Sequence, residues 1–329
     1  MRAVVVQELT GPDGARLTEV AEPDGAHWLT PDERLLIDVH AAAICFPDLL
    51  QTRGLYQHSI DPPFISGGEI GGVVLEAPEG SGFAPGDRVC GVVRRGAMAE
   101  RTLAPPPFIL RLPDHMSYAE GASLYINYTT AWFGYHRAGA QPGETALIQG
   151  AAGGVGTAAI DIAKAFGVRT IALVSSDDKE AAVRSLGADH VVRTTGDWLS
   201  EVRELTDGRG VEIVLDMVGG DRFLDSVRSL RTGGRLVVIG FAGGEIPTIK
   251  VNRLLLRNLT LTGISMDIFE QEHPGTMAMV NAAVQTLAEA GRIHPLIGAR
   301  VPFEDGAEAL RIMERREAIG KIVIDVRPP

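Results

Sequence analysis

Apolar positions in the first third of the chain fall in short continuous or alternating runs. "RLLIDVHAAAIC", "GGVVLEA" and "DRVCGVV" are strand-like, and the turn sequences "PDGA", "DPPF" and "APGD" separate them. Such runs suit strands with a buried face, and helical periodicity is scarce here. The pattern predicts a β-rich, barrel-like domain.

The texture changes near Ser117. From "ETALIQG" onward, short β-branched runs alternate with helical stretches. Strands are predicted at Thr145–Gln149, Arg169–Val174, Ala188–Arg193, Val211–Asp216, Arg235–Gly240 and Leu259–Ile264. They begin about 20 to 25 residues apart, the rhythm of strand–helix–strand units and hence of a parallel sheet. Six such strands predict an α/β doubly wound Rossmann fold. Beyond Ile264 the pattern predicts a helix over Thr276–Gly291, with Met277, Val280, Ala283, Val284 and Leu287 on one face. A second helix near Asp305–Arg316 and a final strand, "KIVIDV", exceed what the parallel sheet needs.

A length of 329 residues suits about two domains. No apolar run approaches the ~20 residues of a membrane span, and the first residues lack the basic flank and apolar core of a signal peptide. A cytoplasmic protein without membrane partners is expected. The formal net charge of −11 opposes nonspecific attraction to nucleic acid. Two cysteines, Cys45 and Cys90, cannot make a disulfide framework or a four-cysteine zinc lobe.

The run "ALIQGAAGGVGTAAIDIAKAFGV", residues 146–168, carries the clearest chemistry. A buried strand meets a glycine-rich turn, and a helix follows with apolar Val155, Ala159, Ile162, Ala163 and Phe166 at 3.6-residue spacing. Gly153 and Gly156 match the second and third glycines of GxGxxG, with Ala151 replacing the first. Backbone at Gly153, Gly154 and Val155 would approach a pyrophosphate at the helix N-terminus, and Gly156 would let helix pack on strand.

The second strand ends at Val174, where NAD sites place a carboxylate for the ribose 2′-hydroxyl. Here Ser175 and Ser176 follow, with Lys179 close behind, and these groups suit a 2′-phosphate. NADPH is expected over NADH. Arg193, after the third strand, adds charge in this reading, while Asp177 and Asp178 begin the next helix.

With these motifs the chain resembles the medium-chain dehydrogenase/reductases, in their zinc-free quinone oxidoreductase (zeta-crystallin-like) branch. "AAGGVG" at 151–156 has the form of that branch's phosphate loop. "PGDRV" at 85–89, "GAMAE" at 96–100, "LGAD" at 186–189 and "GGRLVVIG" at 233–240 resemble its other signatures. "CFPDLLQTRGLY" resembles its "NFPDLLxxxGxY" segment. The resemblance implies a GroES-like catalytic domain over 1–116, a Rossmann domain over 117–264 and a C-terminal return over 265–329 that completes the catalytic domain. It also implies a cleft between them, and a homodimer.

Zinc-dependent relatives hold catalytic zinc through a Cys at the position of Cys45, a His in "GHE" and a third Cys or Asp. The second position here is Gly68, followed by Glu69, and the third falls on Ile126. One thiolate and one carboxylate do not make a three-ligand catalytic site, so no metal is expected. Cys45 then reads as a compact wall of the substrate pocket in place of Asn, because His40 lies on the opposite face of its strand. Leu50 replaces a Tyr frequent in relatives and makes the pocket more apolar.

Without metal, the reaction rests on the cofactor's own chemistry with an electron-poor acceptor. Tyr56, at the tyrosine position of "GxY", is the candidate proton donor or pocket lining. By the same carry-over Thr130 contacts the nicotinamide, Ile239 and Gly240 present backbone groups to the cofactor, and Ser265 approaches it or the dimer edge. Asp48 reads as a loop-holding acceptor. His58, His115, His273 and His294 are scattered singly and read as surface or capping residues. Three functions follow: a quinone reductase, a reductase of enal or enoyl-thioester C=C bonds, and an NADPH-binding redox sensor with little turnover. Arg53, Arg94 and Arg95 are the candidate phosphate contacts of an enoyl-CoA site.

Overall fold

A computed structural model describes residues 1–25, 27, 30, 33–57 and 60–328; His58 lies outside the described residues. In chain order the first elements are β1 (Arg2–Val6), β2 (Ala15–Glu19), β3 (Leu35–Ile44), α1 (Phe46–Gln51), β4 (Phe64–Ile65), β5 (Glu69–Glu76), β6 (Arg88–Val92), β7 (Arg101–Ala104) and β8 (Ile109–Arg111). Then follow α2 (Tyr118–Ala122) and α3 (Tyr125–Ala138).

Next, strands and helices alternate: β9 (Thr145–Ile148), α4 (Gly154–Phe166), β10 (Arg169–Val174), α5 (Asp177–Ser185), β11 (His190–Arg193), α6 (Trp198–Glu204), β12 (Val211–Asp216), α7 (Phe223–Ser229), β13 (Leu230–Val238), α8 (Asn252–Arg257) and β14 (Thr260–Gly263). The chain closes with α9 (Met266–Glu272), α10 (Thr276–Glu289), β15 (Ile297–Pro302), α11 (Gly306–Glu314) and β16 (Lys321–Asp325).

The chain divides into two compact units, Met1–Ile126 with Gln285–Pro329, and Asn127–Val284. The sequence-drawn boundaries, 116/117 and 264/265, fall earlier at both crossings. The first helix after Ser117 belongs to the first unit. α2 begins on a capping box, in which the Glu120 amide donates to Ser117 Oγ at 3.2 Å and the Ser117 amide to Glu120 Oε2 at 2.7 Å. It packs against β3, β5 and β6.

In the first unit the order β15-β16-β3-β5-β6-β8 forms one sheet, with β7 also paired to β3, and β2-β1-β4 forms another. Their apolar faces meet in a core that includes Val4, Leu35, Ile37, Ile44, Ile70, Val89, Met98, Phe303, Ile322 and Ile324. In the second unit the order β11-β10-β9-β12-β13-β14 is parallel throughout. Strand order reverses between β9 and β12, the switch point where such sheets bind ligands at their C-terminal edge. Among the described residues, no helix is long and apolar enough to cross a membrane.

Candidate functional site

In the second unit, β9 runs into the glycine loop and α4. The Gly153 amide donates to Gly150 O at 2.9 Å and closes the turn. A Cβ on Gly156 would lie 2.4 Å from Gly150 O and 2.6 Å from Ala151 Cα, so only glycine lets the first turn of α4 rest on the loop. Gly153 is different: its Cβ would meet only Gly150 O, at 3.3 Å, and otherwise open space. Gly153 is also the N-cap of α4 and offers no side-chain acceptor. The first amides of α4, including those of Gly154 and Val155, therefore get no side-chain acceptor from their N-cap, where the helix dipole is positive. That is a cradle for an anion, and these residues fit a pyrophosphate.

At the end of β10, Ser175 is exposed and Ser176 half-buried. Ser176 is the N-cap of α5 yet makes no side-chain capping bond, so its hydroxyl is not spent on the helix. Lys179 lies in the first turn of α5. Asp177 and Asp178 begin that helix, where carboxylates suit the dipole. Arg193, expected to add positive charge, contacts the carboxylate of Asp177 and that of Glu180 at 3.1 Å. Its charge is already balanced within the protein.

Thr130 is half-buried on α3. One turn later, Gly134 faces the side chains of Leu215, Ile239 and Ile264, so α3 lies over the C-terminal ends of β12, β13 and β14. The amides of Ile239 and Gly240 both donate to Asp216 O, at 2.8 and 3.4 Å. These two N–H groups are committed inside the sheet. Ser265 is exposed immediately before α9.

In the first unit, sheet register assembles a second group. β3 is flanked by β5, with Ala43 opposite Glu69, and by β16, with Ile44 opposite Ile322. The first residues of both flanking strands, Glu69 and Lys321, therefore come to the end of β3 where Cys45 begins the turn into α1. Lys321 Nζ contacts Glu69 Oε2 directly, and Glu69 Oε1 accepts the Ile126 amide at 2.8 Å. Asp48 Oδ2 accepts the Cys45 amide at 2.7 Å and the Cys45 thiol at 3.2 Å, so Asp48 holds the loop.

Glu69, Asp48 and Lys321 are 0%, 2% and 3% exposed. Burial first, and then the charge of Asp48, push the Cys45 thiol well above its usual range. Burial likewise lifts the Asp48 carboxyl to about 6, against the hydrogen bonds from Cys45. Burial opposes the charge on Lys321, yet Glu69 and the other neighbours outweigh it and raise its pKa. Sequence reasoning missed Lys321. The available signal was a lysine directly before the apolar run Ile322–Ile324.

Leu50 is half-buried on α1, and Tyr56 is half-buried in the bend that follows. His40 pairs with Asp38 at 3.5 Å and lies against the Tyr118 ring at 4.2 Å, so it does not serve Cys45.

Two family models match this chain: the alcohol dehydrogenase GroES-like domain over residues 31–114 and the zinc-binding dehydrogenase over 154–280. With the GroES-like domain, the doubly wound sheet and the glycine cradle, they make the chain an oxidoreductase of the medium-chain dehydrogenase/reductase superfamily. Quinone oxidoreductase-like protein 2 of Rattus norvegicus is 37% identical, covering 99% of this chain and 92% of that protein. A probable oxidoreductase from Mycobacterium abscessus superposes with a TM-score of 0.88 at 40% identity, covering 99% and 98% of the two chains. The quinone oxidoreductase of Thermus thermophilus, solved also with NADPH, gives 0.82 at 31% identity over 99% and 100%. Within the superfamily, the chain belongs to the quinone oxidoreductase branch.

The zinc in the second family model's description does not fit the residues at Cys45. Gly68 offers no donor, Ile126 offers an apolar side chain, and the Glu69 carboxylate is taken by Lys321. Among the described residues, no group of three or more His, Cys, Asp or Glu side chains is placed to hold a metal ion.

Proposed function

We propose that the protein is an NADPH-dependent, zinc-independent reductase that transfers hydride to quinones or related electron-poor carbonyl compounds. One observation carries this reading: the glycine cradle of α4 is accompanied at the end of β10 by Ser175, Ser176 and Lys179, with Val174 where NAD sites place a carboxylate. The relatives named quinone oxidoreductase, and the Thermus protein solved with NADPH, support it.

When bound, the reduced nicotinamide supplies the hydride. The chain's residues supply everything else. The Gly153–Gly156 backbone binds the pyrophosphate, and Ser175, Ser176 and Lys179 bind the 2′-phosphate. Thr130 orients the nicotinamide. Cys45, as a neutral thiol, and Leu50 shape an apolar wall for the acceptor. Tyr56 hydrogen-bonds the acceptor oxygen as charge gathers there, or gives it a proton.

Of the candidate phosphate contacts of an enoyl-CoA site, Arg53 is ion-paired with Glu314 and the guanidinium of Arg94 lies 5.4 Å from the centre of the Phe108 ring. We assign the homodimer contact to the open edge of β14 and the apolar residues before it. Ile246, Val251, Leu255 and Leu256 are each more than 70% exposed.

The test is oxidation of NADPH and of NADH by EDTA-treated protein, with ortho- and para-quinones and trans-2-enals in parallel. NADPH-dependent turnover of quinones is expected. Turnover of enals alone would move the assignment to C=C reduction, and NADPH binding without turnover would leave a sensor.

A further inference from the structure

We propose that Lys321 is a built-in cation that takes the electrostatic place of a divalent metal beside Cys45 and closes that centre to metal. Lys321 Nζ contacts Glu69 Oε2, and the Cys45–Asp48 pair, joined thiol to carboxylate at 3.2 Å at the same end of β3, interacts with the ammonium electrostatically. The arrangement is fixed by the sheet. Ile322 pairs with Ile44 and Glu69 with Ala43, so β16 and β5 deliver the cation and its partner to the same end of β3.

The missing donor at residue 68 is a lesser obstacle. An ideal Cβ on Gly68 would make only ordinary contacts, the nearest being Asp48 Oδ1 at 3.4 Å, with Arg94 backbone at 3.8 Å. A side chain there starts beside the Asp48 carboxylate, and its backbone contacts with Arg94 are ordinary ones. A histidine would complete a thiolate, carboxylate and imidazole set, the three-ligand pattern of an open zinc site. A dication entering that set still faces an ammonium buried in low dielectric and held in place by Glu69. The obstacle to metal is therefore charge, and it sits on a residue remote in sequence from every ligand position.

The experiment measures metal binding on the full chain and does not depend on turnover, so its outcome is separate from the identity of the acceptor. Co2+ is the probe, read by its thiolate charge-transfer absorption, and zinc retained after dialysis is counted by elemental analysis. Wild type, Gly68→His and Gly68→His/Lys321→Arg are expected to show no band and no retained zinc. Gly68→His/Lys321→Met is expected to take up about one ion per chain in a tetrahedral site. Its affinity should exceed that of Gly68→His by at least about 100-fold, from removal of one nearby buried charge. Cys45→Ser in that background should abolish the band. Should the Met variant not fold, adding Glu69→Gln removes the carboxylate that Lys321 balances and allows the same comparison. Equal binding by Gly68→His alone, no binding by the folded Met variant, or stoichiometric zinc on wild-type Cys45 would each overturn the proposal.

Discussion

The ammonium of Lys321 and the carboxylate of Glu69 meet inside the first unit, on strands that begin 252 residues apart and flank the same end of β3. Removing one partner leaves the other as an uncompensated buried charge. Lys321→Met should therefore cost about 3–5 kcal/mol of stability in urea unfolding. Lys321→Met/Glu69→Gln should recover most of that loss. Equal stability of the single variant and wild type would show that the pair is not sealed from water.

Asp48 gives a pH signature. Its carboxyl is raised by burial to about 6, so the folded state holds its proton more tightly than the unfolded state does. The contribution is fully present below the unfolded value and is lost as pH rises through about 6. Relative to Asp48→Asn, wild type should lose up to about 3 kcal/mol between about pH 3 and pH 7. Urea unfolding of both proteins across that range checks the sign; a constant difference would place Asp48 in contact with solvent.

The two glycines of the cradle should fail differently. Gly156→Ala places a Cβ against the loop backbone and should cost about 1–3 kcal/mol through forced movement of α4. Gly153→Ala, with one contact at 3.3 Å, should fold normally yet bind NADPH about tenfold more weakly, a change of ~1.4 kcal/mol. Thermal unfolding and nucleotide fluorescence separate the two.

Cofactor choice should rest on Lys179 more than on Arg193. Lys179→Met is expected to weaken NADPH binding about tenfold and leave NADH unchanged. Arg193→Leu should have a smaller effect, because Asp177 and Glu180 already hold that guanidinium. Equal losses for both nucleotides in Lys179→Met would remove the 2′-phosphate from this end of β10.

Neither cysteine should react in the native state. Burial pushes Cys90 up to about 12, and desolvation together with the adjacent Asp48 carboxylate holds the half-buried Cys45 well above its ordinary value. Iodoacetamide near pH 8 should label no thiol until denaturant is added, when both of the chain's cysteines appear. Rapid native labelling of Cys45 would make it a nucleophile rather than a wall.

The parallel sheet was legible because its strands are short apolar runs closed by glycine and polar turns. Its margins were less so. β13 begins at Leu230, ahead of the predicted Arg235, since "LRTGG" reads as a turn; a register shift against β12 between Val211 and Ile213 accommodates it. β11 begins at His190 rather than Ala188, because Asp189 spends its carboxylate on the Thr170 amide at 2.7 Å. The cradle was visible for a related reason: its chemistry lies in contiguous residues. The Cys45 centre was visible only in part, because its cation arrives from β16. No local pattern joins Lys321 to Glu69.

The place of β16 in the sheet, between β15 and β3, also sets an order of events during synthesis. β3 emerges from the ribosome early and has its β16 edge open until Ile322–Ile324 arrive to pair with Ala42–Ile44. Asn127–Val284 emerges in one piece and has no such wait. The later unit in the chain is free to fold first, and the earlier one is exposed to proteases and aggregation for nearly the whole of translation.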